Sequence, residues 1–304
     1  MLSIGLIRSG SKAVRPFAGA AAFIVFFTGI GTAQITVSEV QWPGTAEYYT
    51  RAIARGTAEV KRDVLHKIRS HRSERASELA VPALADRDPM IRATAASAIV
   101  WLPRERAAAV LIPLLRDRDE FVRREAAYAL GVAGTDPAIP ELMRILRSDR
   151  DPEVRAAAAI ALGGIGSAGE IPALVGALNM KRSEENEFLR SMAARTIGQI
   201  AIYARSGERV EIVPQNFLPA NYKLVLADKP TASVDPTVVR LLLRMLRDEQ
   251  EHMDLRRHVA FALGAIGDAS LEAPLRALTQ SSDPYMAEIA REALQMLADR
   301  TAGN

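Results

Sequence analysis

The stretch DPEVRAAAAIALGGIG, residues 151–166, decides the fold. Asp151 supplies a side-chain acceptor for the first free amides of a helix, and Pro152 has a fixed φ that suits the first helical turn. The apolar residues that follow recur at helical spacing on one face: Val154, Ala158, Ala161, Leu162 and Ile165. Gly166 then suits the left-handed turn that ends a helix. The stretch predicts one amphipathic helix with little reactive chemistry.

The same pattern recurs along the chain. Its copies start at Asp88, Asp119, Asp151, Asn186, His252 and Asp283, with a weaker copy from Val60. The first apolar residue of each copy recurs after 31, 31, 32, 35, 66 and 31 residues, so the long interval holds about two periods. A second, shorter amphipathic segment lies between copies. Because two such short helices cannot bury their own apolar faces, successive pairs must stack. The sequence predicts an all-α fold, a right-handed α-solenoid of about seven helical pairs.

Through the pattern D-P-x-V-R-x-x-A-A-x-A-L-G-x-I-G, these units resemble HEAT repeats, specifically the short HEAT-like repeats of the phycobilisome lyase family. The resemblance covers roughly residues 55–299. It implies a HEAT-like superhelix. It also leaves an alternative function open, a lyase- or isomerase-type enzyme, because chromophore lyases share this repeat.

The N-terminal segment differs in kind from the repeats. Arg8, Lys12 and Arg15 precede an apolar run over residues 17–30, and small residues follow up to Ala33. This order is typical of a secretory signal peptide over residues 1–33, with cleavage expected after Ala33. We therefore expect an exported protein, periplasmic or secreted, without a membrane span after cleavage. A retained segment would instead make the chain a membrane-anchored adaptor.

The rest of the chain divides into a cap segment (34–54), the HEAT-like repeat domain (55–299) and a short tail (300–304). An insertion at 206–235 interrupts the fifth copy. Its apolar residues alternate with polar ones, which predicts a small hairpin. Phe217, Tyr222 and Lys223 are its candidate contact residues. The insertion serves either recognition or only the covering of the adjacent repeat.

Charge and cysteine content exclude several classes. The net charge of +3 comes from residues 1–33, because without their three basic residues the chain has 36 basic and 36 acidic residues. The charge therefore gives no support for nucleic-acid binding. The absence of cysteine excludes disulfides, thiolate metal ligands and a thiol nucleophile.

No motif indicates a metal, cofactor or catalytic site. Residues 164–169 match G-x-G-x-x-G, but they follow a helix and not a strand, so they are predicted to be a repeat turn. The four histidines show no metal-ligand spacing. We therefore expect no metal, no cofactor, no small-molecule substrate and a protein that is not an enzyme.

Two sets of charged residues recur with the repeat. The first is an Asp/Arg ladder predicted to tie repeat to repeat, although an exposed binding strip is the alternative: Asp88, Arg92, Asp119, Arg123, Asp151, Arg155, Arg190 and Arg256. The second set lies on the second helices, on a surface that we expect to be concave: Arg116, Arg144, Arg147, Arg244, Arg247 and Arg276. These arginines are candidates for binding an acidic partner, or else a solvated surface neutralised by nearby carboxylates.

Together these patterns predict a non-catalytic protein–protein interaction scaffold of the periplasm or cell exterior. The protein partner is expected on the second-helix surface and the insertion.

Overall fold

The computed structural model describes residues 42–166, 168–206 and 234–301. These residues form fourteen α-helices in seven consecutive pairs, so the predicted all-α solenoid is confirmed. The helices that carry the repeated motif, called first helices here, are α2 (Ala58–Ser70), α4 (Pro89–Ala98), α6 (Glu120–Ala133), α8 (Pro152–Ile165), α10 (Glu184–Ser206), α12 (Met253–Ile266) and α14 (Pro284–Thr301).

The helices that alternate with them along the chain form the other layer and are called second helices here. They are α1 (Trp42–Arg55), α3 (Glu74–Ala80), α5 (Arg104–Leu111), α7 (Ile139–Ser148), α9 (Ile171–Leu178), α11 (Pro236–Arg247) and α13 (Glu272–Leu278). Short 3-10 turns adjoin five of these second helices, at Val81–Ala85, Ile112–Arg116, Asp136–Ala138, Ala168–Glu170 and Ala269–Leu271. The predicted hairpin, with Phe217, Tyr222 and Lys223, lies outside the described residues, as do residues 1–33.

The predicted helix starts and stops are confirmed. The carboxylate of Asp119 accepts hydrogen bonds from the amides of Phe121 and Val122 at 3.0 and 3.4 Å, which caps α6. Asp88, Asp151 and Asp283 accept equivalent bonds at the starts of their helices. At the other end, Gly134, Gly166 and Gly267 have φ values of 65, 83 and 74°, in the left-handed region that glycine enters at low cost.

Consecutive first helices pack closely because small residues meet at their contacts. A Cβ added to Gly131 would lie 2.6 Å from the Cα of Ala161, and one added to Gly264 would lie 2.5 Å from the Cα of Ala293. The first helices pack extensively on one another, whereas the second helices pack less extensively within their own layer. The alanine stripe of the sequence therefore forms the tightest part of the core.

Basic side chains of the first helices pair with carboxylates of the following repeat. The pairs are Lys61–Asp86, Arg92–Asp117, Arg123–Asp149 and Arg190–Glu251. In the third pair, Nε and Nη2 of Arg123 each donate to one oxygen of Asp149 at 2.9 Å, and both residues are more than nine-tenths buried. Burial works to raise the pKa of Asp149, but the hydrogen bonds from Arg123 lower it below its ordinary value. We call these pairs the ladder.

The structure corrects the predicted partners in the ladder. Asp88, Asp119 and Asp151 cap their own helices. The basic side chain of the preceding repeat, which is Lys61, Arg92 or Arg123, binds the aspartate two residues earlier. Arg155 donates to the carbonyl of Asp149 at 3.1 Å and to the side chain of Asn186 at 3.3 Å, and its nearest carboxylate is Glu185 at 3.9 Å. Arg256 donates to the carbonyl of Leu246, and its neighbour Arg257 pairs with Asp283 instead. The reason is that Ser281 occupies the position where the earlier repeats have the partner aspartate.

Replacing Arg123 tests the ladder. Arg123→Ala leaves Asp149 buried without its cationic partner, so we expect the free energy of unfolding to fall by about 3–5 kcal/mol. Urea denaturation followed by circular dichroism measures this loss. Arg116→Ala is the matched control, because the Arg116–Glu141 pair is exposed on the arginine side and should contribute about 1 kcal/mol or less. Equal losses in the two variants would contradict the structural role of the ladder.

Candidate functional site

A groove opens between the N-terminal halves of three first helices, α10, α12 and α14. Its volume is about 750 Å³, within the range of small-molecule and side-chain sites. We call it the C-terminal groove. Its lining residues are Glu184, Glu187, Phe188, Ser191, Met192, His252, Asp254, Arg257, His258, Tyr285, Glu288 and Ile289.

The walls of the C-terminal groove are apolar. Phe188 is 48% exposed and Tyr285 is 71% exposed, although both are large and apolar or aromatic. Met192 and Ile289 are buried beneath them. Exposed aromatic side chains beside a cavity are typical of a binding site, because a ligand that covers them removes apolar area from water.

Two residues of α12 supply polar groups at the groove. His258 is buried, and its Nδ1 lies 2.7 Å from the carbonyl oxygen of Asp254. Burial lowers the pKa of His258 to about 4, so this side chain is neutral at pH 7. Arg257 binds both oxygens of Asp283 at 2.9 Å and donates to Asp254 at 2.8 Å. Its guanidinium also lies 5.1 Å from the ring centroid of Tyr285, which holds that aromatic wall in place.

The rim of the C-terminal groove is acidic. Its carboxylates come from all three helices: Glu184 and Glu187 from α10, Asp254 from α12 and Glu288 from α14. His252 stands between two of them, 3.8 Å from Glu187 and 3.8 Å from Asp254. A positively charged group is therefore favoured at the mouth of the groove.

Glu292 lies one turn beyond Glu288 on α14. Burial raises the pKa of Glu292 to about 7, and the charge of Glu288 adds to the rise. A carboxyl group with this pKa is present in both protonation states near neutral pH, so it can donate or accept a proton. Strongly displaced pKa values of this kind concentrate at functional sites.

The raised pKa of Glu292 makes stability depend on pH. The folded protein holds this proton more tightly than the unfolded chain, so the contribution of Glu292 to stability is fully present below pH 4.5 and is lost as the pH rises through about 7. Glu292→Gln removes the titrating group, and we expect its urea midpoint to exceed that of the unmodified protein above pH 7 and to approach it near pH 4. Glu272→Gln, a change at an exposed glutamate, should leave the pH profile unchanged. A parallel profile for Glu292→Gln would contradict the assignment.

The candidate arginines of the second helices are all exposed, as their outward-facing columns predict. Three of them form ion pairs within their own layer: Arg116 and Arg144 with Glu141, and Arg276 with Glu272. The hydrogen bond from Arg116, with help from Arg144, lowers the pKa of Glu141 to about 2. For the remaining arginines, the described residues contain no ion-pair partner: Arg147, Arg244 and Arg247. Binding at this surface, and its concave shape, stay predictions.

The described residues show neither a metal-binding cluster nor a membrane-spanning helix. Residues 42–166, 168–206 and 234–301 contain no group of three or more His, Asp or Glu side chains arranged to hold a metal ion. No helix in this part of the chain is long and apolar enough to cross a membrane.

The solenoid and its repeat are those of a known family. Residues 50–131 and 139–210 match HEAT repeats, and residues 122–148 match the PBS lyase HEAT-like repeat. The chain belongs to the HEAT-repeat family. A search of curated proteins found no match.

Two solved structures illustrate the similarity. The complex of CpcE and CpcF of phycocyanin lyase from Nostoc shares 20% identity at a TM-score of 0.47, over 89% of this chain and 100% of that chain. Human deoxyhypusine hydroxylase in complex with glycerol shares 19% identity at a TM-score of 0.36, over 84% of this chain and 85% of that chain.

One expectation from the sequence is wrong. The lack of catalytic motifs led us to expect a protein that is not an enzyme, but the match of residues 122–148 to a lyase repeat points to a lyase-type enzyme family. A displaced pKa, such as that of Glu292, arises from burial and is not marked by a short sequence pattern.

The last three copies of the motif differ from the earlier ones at positions that line the C-terminal groove. Three residues after the first apolar residue of the motif, the fourth copy has Ala157, whereas the last three copies have larger side chains: Met192, His258 and Ile289. One residue before that apolar position, two of these copies have the aromatic residues Phe188 and Tyr285. Aligning the copies by column would have placed these groove residues together.

Proposed function

We propose that the chain is a lyase-type HEAT-repeat protein whose reaction site is the C-terminal groove. The observation that carries the proposal is the pair of exposed aromatic side chains in the groove lining, Phe188 and Tyr285. Glu292, whose pKa is near neutral, lies outside that lining, one turn of α14 beyond the lining residue Glu288. The match of residues 122–148 to a PBS lyase repeat supports the reaction class.

The groove can contribute binding and proton transfer. Phe188, Tyr285 and the buried side chains beneath them hold an apolar substrate and exclude water. Glu292 would act as the proton donor or acceptor if a bound substrate extends one turn of α14 beyond Glu288, because its pKa lies near 7. His258 stays neutral at pH 7 and therefore adds no charge to the apolar floor.

A tetrapyrrole titration tests this function, because chromophore lyases share the repeat. The probe is a linear tetrapyrrole dimethyl ester, since the acidic rim would repel free carboxylates. We expect a saturable absorbance change with the unmodified protein, and about tenfold weaker binding after Phe188→Ala with Tyr285→Ala. Val132→Ala, an exposed apolar change on α6 outside the groove, is the matched control. The absence of any absorbance change, or equal binding by the double variant, would exclude the tetrapyrrole class.

A second proposal concerns the surface of the second helices and places the protein outside the cytoplasm. Arg147, Arg244 and Arg247 are exposed, and guanidinium groups bind carboxylates in a bidentate manner. These features support the docking of an acidic protein partner. The basic and apolar order of residues 1–33 supports export.

Crosslinking in the exporting cell tests both parts of the second proposal. Photoreactive probes at Arg144, Arg244 and Tyr222 should capture a partner more efficiently than a probe at Val132. N-terminal sequencing of the same material should begin at Gln34. Equal capture from both surfaces would reject the arginine surface as the docking site, and a retained N-terminus would reject signal cleavage.

A further inference from the structure

We infer that the C-terminal groove binds a basic segment of a partner protein, with an apolar side chain between the walls and flanking lysine or arginine residues at the rim. This inference rests on the groove of the proposed function and names the chemistry of the protein that enters it.

The apolar part of the inference follows from the shape of the groove. Phe188 on α10 and Tyr285 on α14 leave large parts of their rings in water. The groove that they line between the three helices has a volume of about 750 Å³. A large aliphatic or aromatic side chain of a partner would occupy part of this space and cover exposed ring area. Anchors of this kind, held in a central apolar pocket, contribute most of the affinity in many interfaces.

The basic part follows from the charges around that pocket. The rim carries four carboxylates, from Glu184, Glu187, Asp254 and Glu288, of which Asp254 is paired with Arg257 and Glu288 with Arg291. The negative charge of the lining therefore rests mainly on Glu184 and Glu187 of α10. Arg257, the arginine of the groove lining, is already bound to Asp283 and Asp254. An acidic ligand would therefore meet repulsion at the rim without a free guanidinium in the lining to bind it, whereas lysine or arginine would meet complementary charge.

The arrangement of the rim favours an extended segment. Its carboxylates are distributed over α10, α12 and α14, so they flank the aromatic walls on successive helices. A short extended chain can place one residue between the walls and basic residues beside the carboxylates on either side. A compact cation would reach only part of this rim.

Fluorescence anisotropy with two labelled peptides tests the inference on the full chain. One peptide has a central leucine flanked by lysines, and the other has glutamates in place of the lysines. At low salt we expect the basic peptide to bind at least about tenfold more tightly than the acidic one, with the difference shrinking as salt screens the rim.

Two sets of variants separate the walls from the rim. Combining Glu184→Gln, Glu187→Gln and Glu288→Gln should weaken the basic peptide about tenfold and reduce its salt dependence. Phe188→Ala with Tyr285→Ala should weaken binding at all salt concentrations. Val132→Ala and Glu272→Gln are matched controls on exposed positions outside the groove. All of these side chains are partly or fully exposed, and circular dichroism verifies that each variant is folded.

Equal affinity for the two peptides, or unchanged affinity in both sets of variants, would overturn the inference. The outcome is separable from that of the lyase proposal. Peptide binding without a tetrapyrrole response rejects the tetrapyrrole class and supports the basic segment. A tetrapyrrole response without preference for the basic peptide supports the tetrapyrrole class and rejects the basic segment.

Discussion

The stack depends on the buried pairing of an arginine in one first helix with a carboxylate at the start of the next. A guanidinium removed from water requires a partner, and the bidentate pair of Arg123 with Asp149 supplies one with fixed geometry. The D-x-D segment, as at Asp117 and Asp119, therefore has two functions. Its first aspartate receives the arginine of the preceding repeat, and its second caps its own helix.

Most of the fold could be predicted from the sequence because local chemistry determines it. Asp-Pro pairs, helical spacing of apolar residues and terminal glycines each act within a single helix, and the structure confirms them at Asp151 and Gly166. The ladder partners were less predictable, because the sequence cannot show which of two nearby aspartates a long side chain reaches. Glu251 pairs with Arg190 across the insertion, and no periodic pattern marks it. Its longer side chain lies outside the repeat register.

The repeat motif does not indicate the candidate site, for a different reason. The repeat is recognised by the positions that are alike in its copies, whereas several residues that line the C-terminal groove stand at positions that differ between copies. Met192, His258 and Ile289 stand in the column where the three preceding copies have Thr94, Glu125 and Ala157, and the exposed rings of Phe188 and Tyr285 line the same groove. Burial lowers the pKa of His258 and raises the pKa of Glu292, and both shifts favour the uncharged form of the side chain. Packing thus creates chemical character that residue types alone do not show.

The position of the insertion has a consequence for the order of folding. The pairs of Arg92 and Arg123 join residues 25 and 26 positions apart, whereas Arg190 and Glu251 are 61 positions apart. Contacts between distant residues cost more chain entropy to close, so they form more slowly than local ones. In a repeat stack that propagates between neighbours, we expect the junction of α10 with α12 to form more slowly than the junctions N-terminal to it. The N-terminal repeats can assemble before it closes, and the C-terminal groove, which spans this junction, matures with the last step of folding.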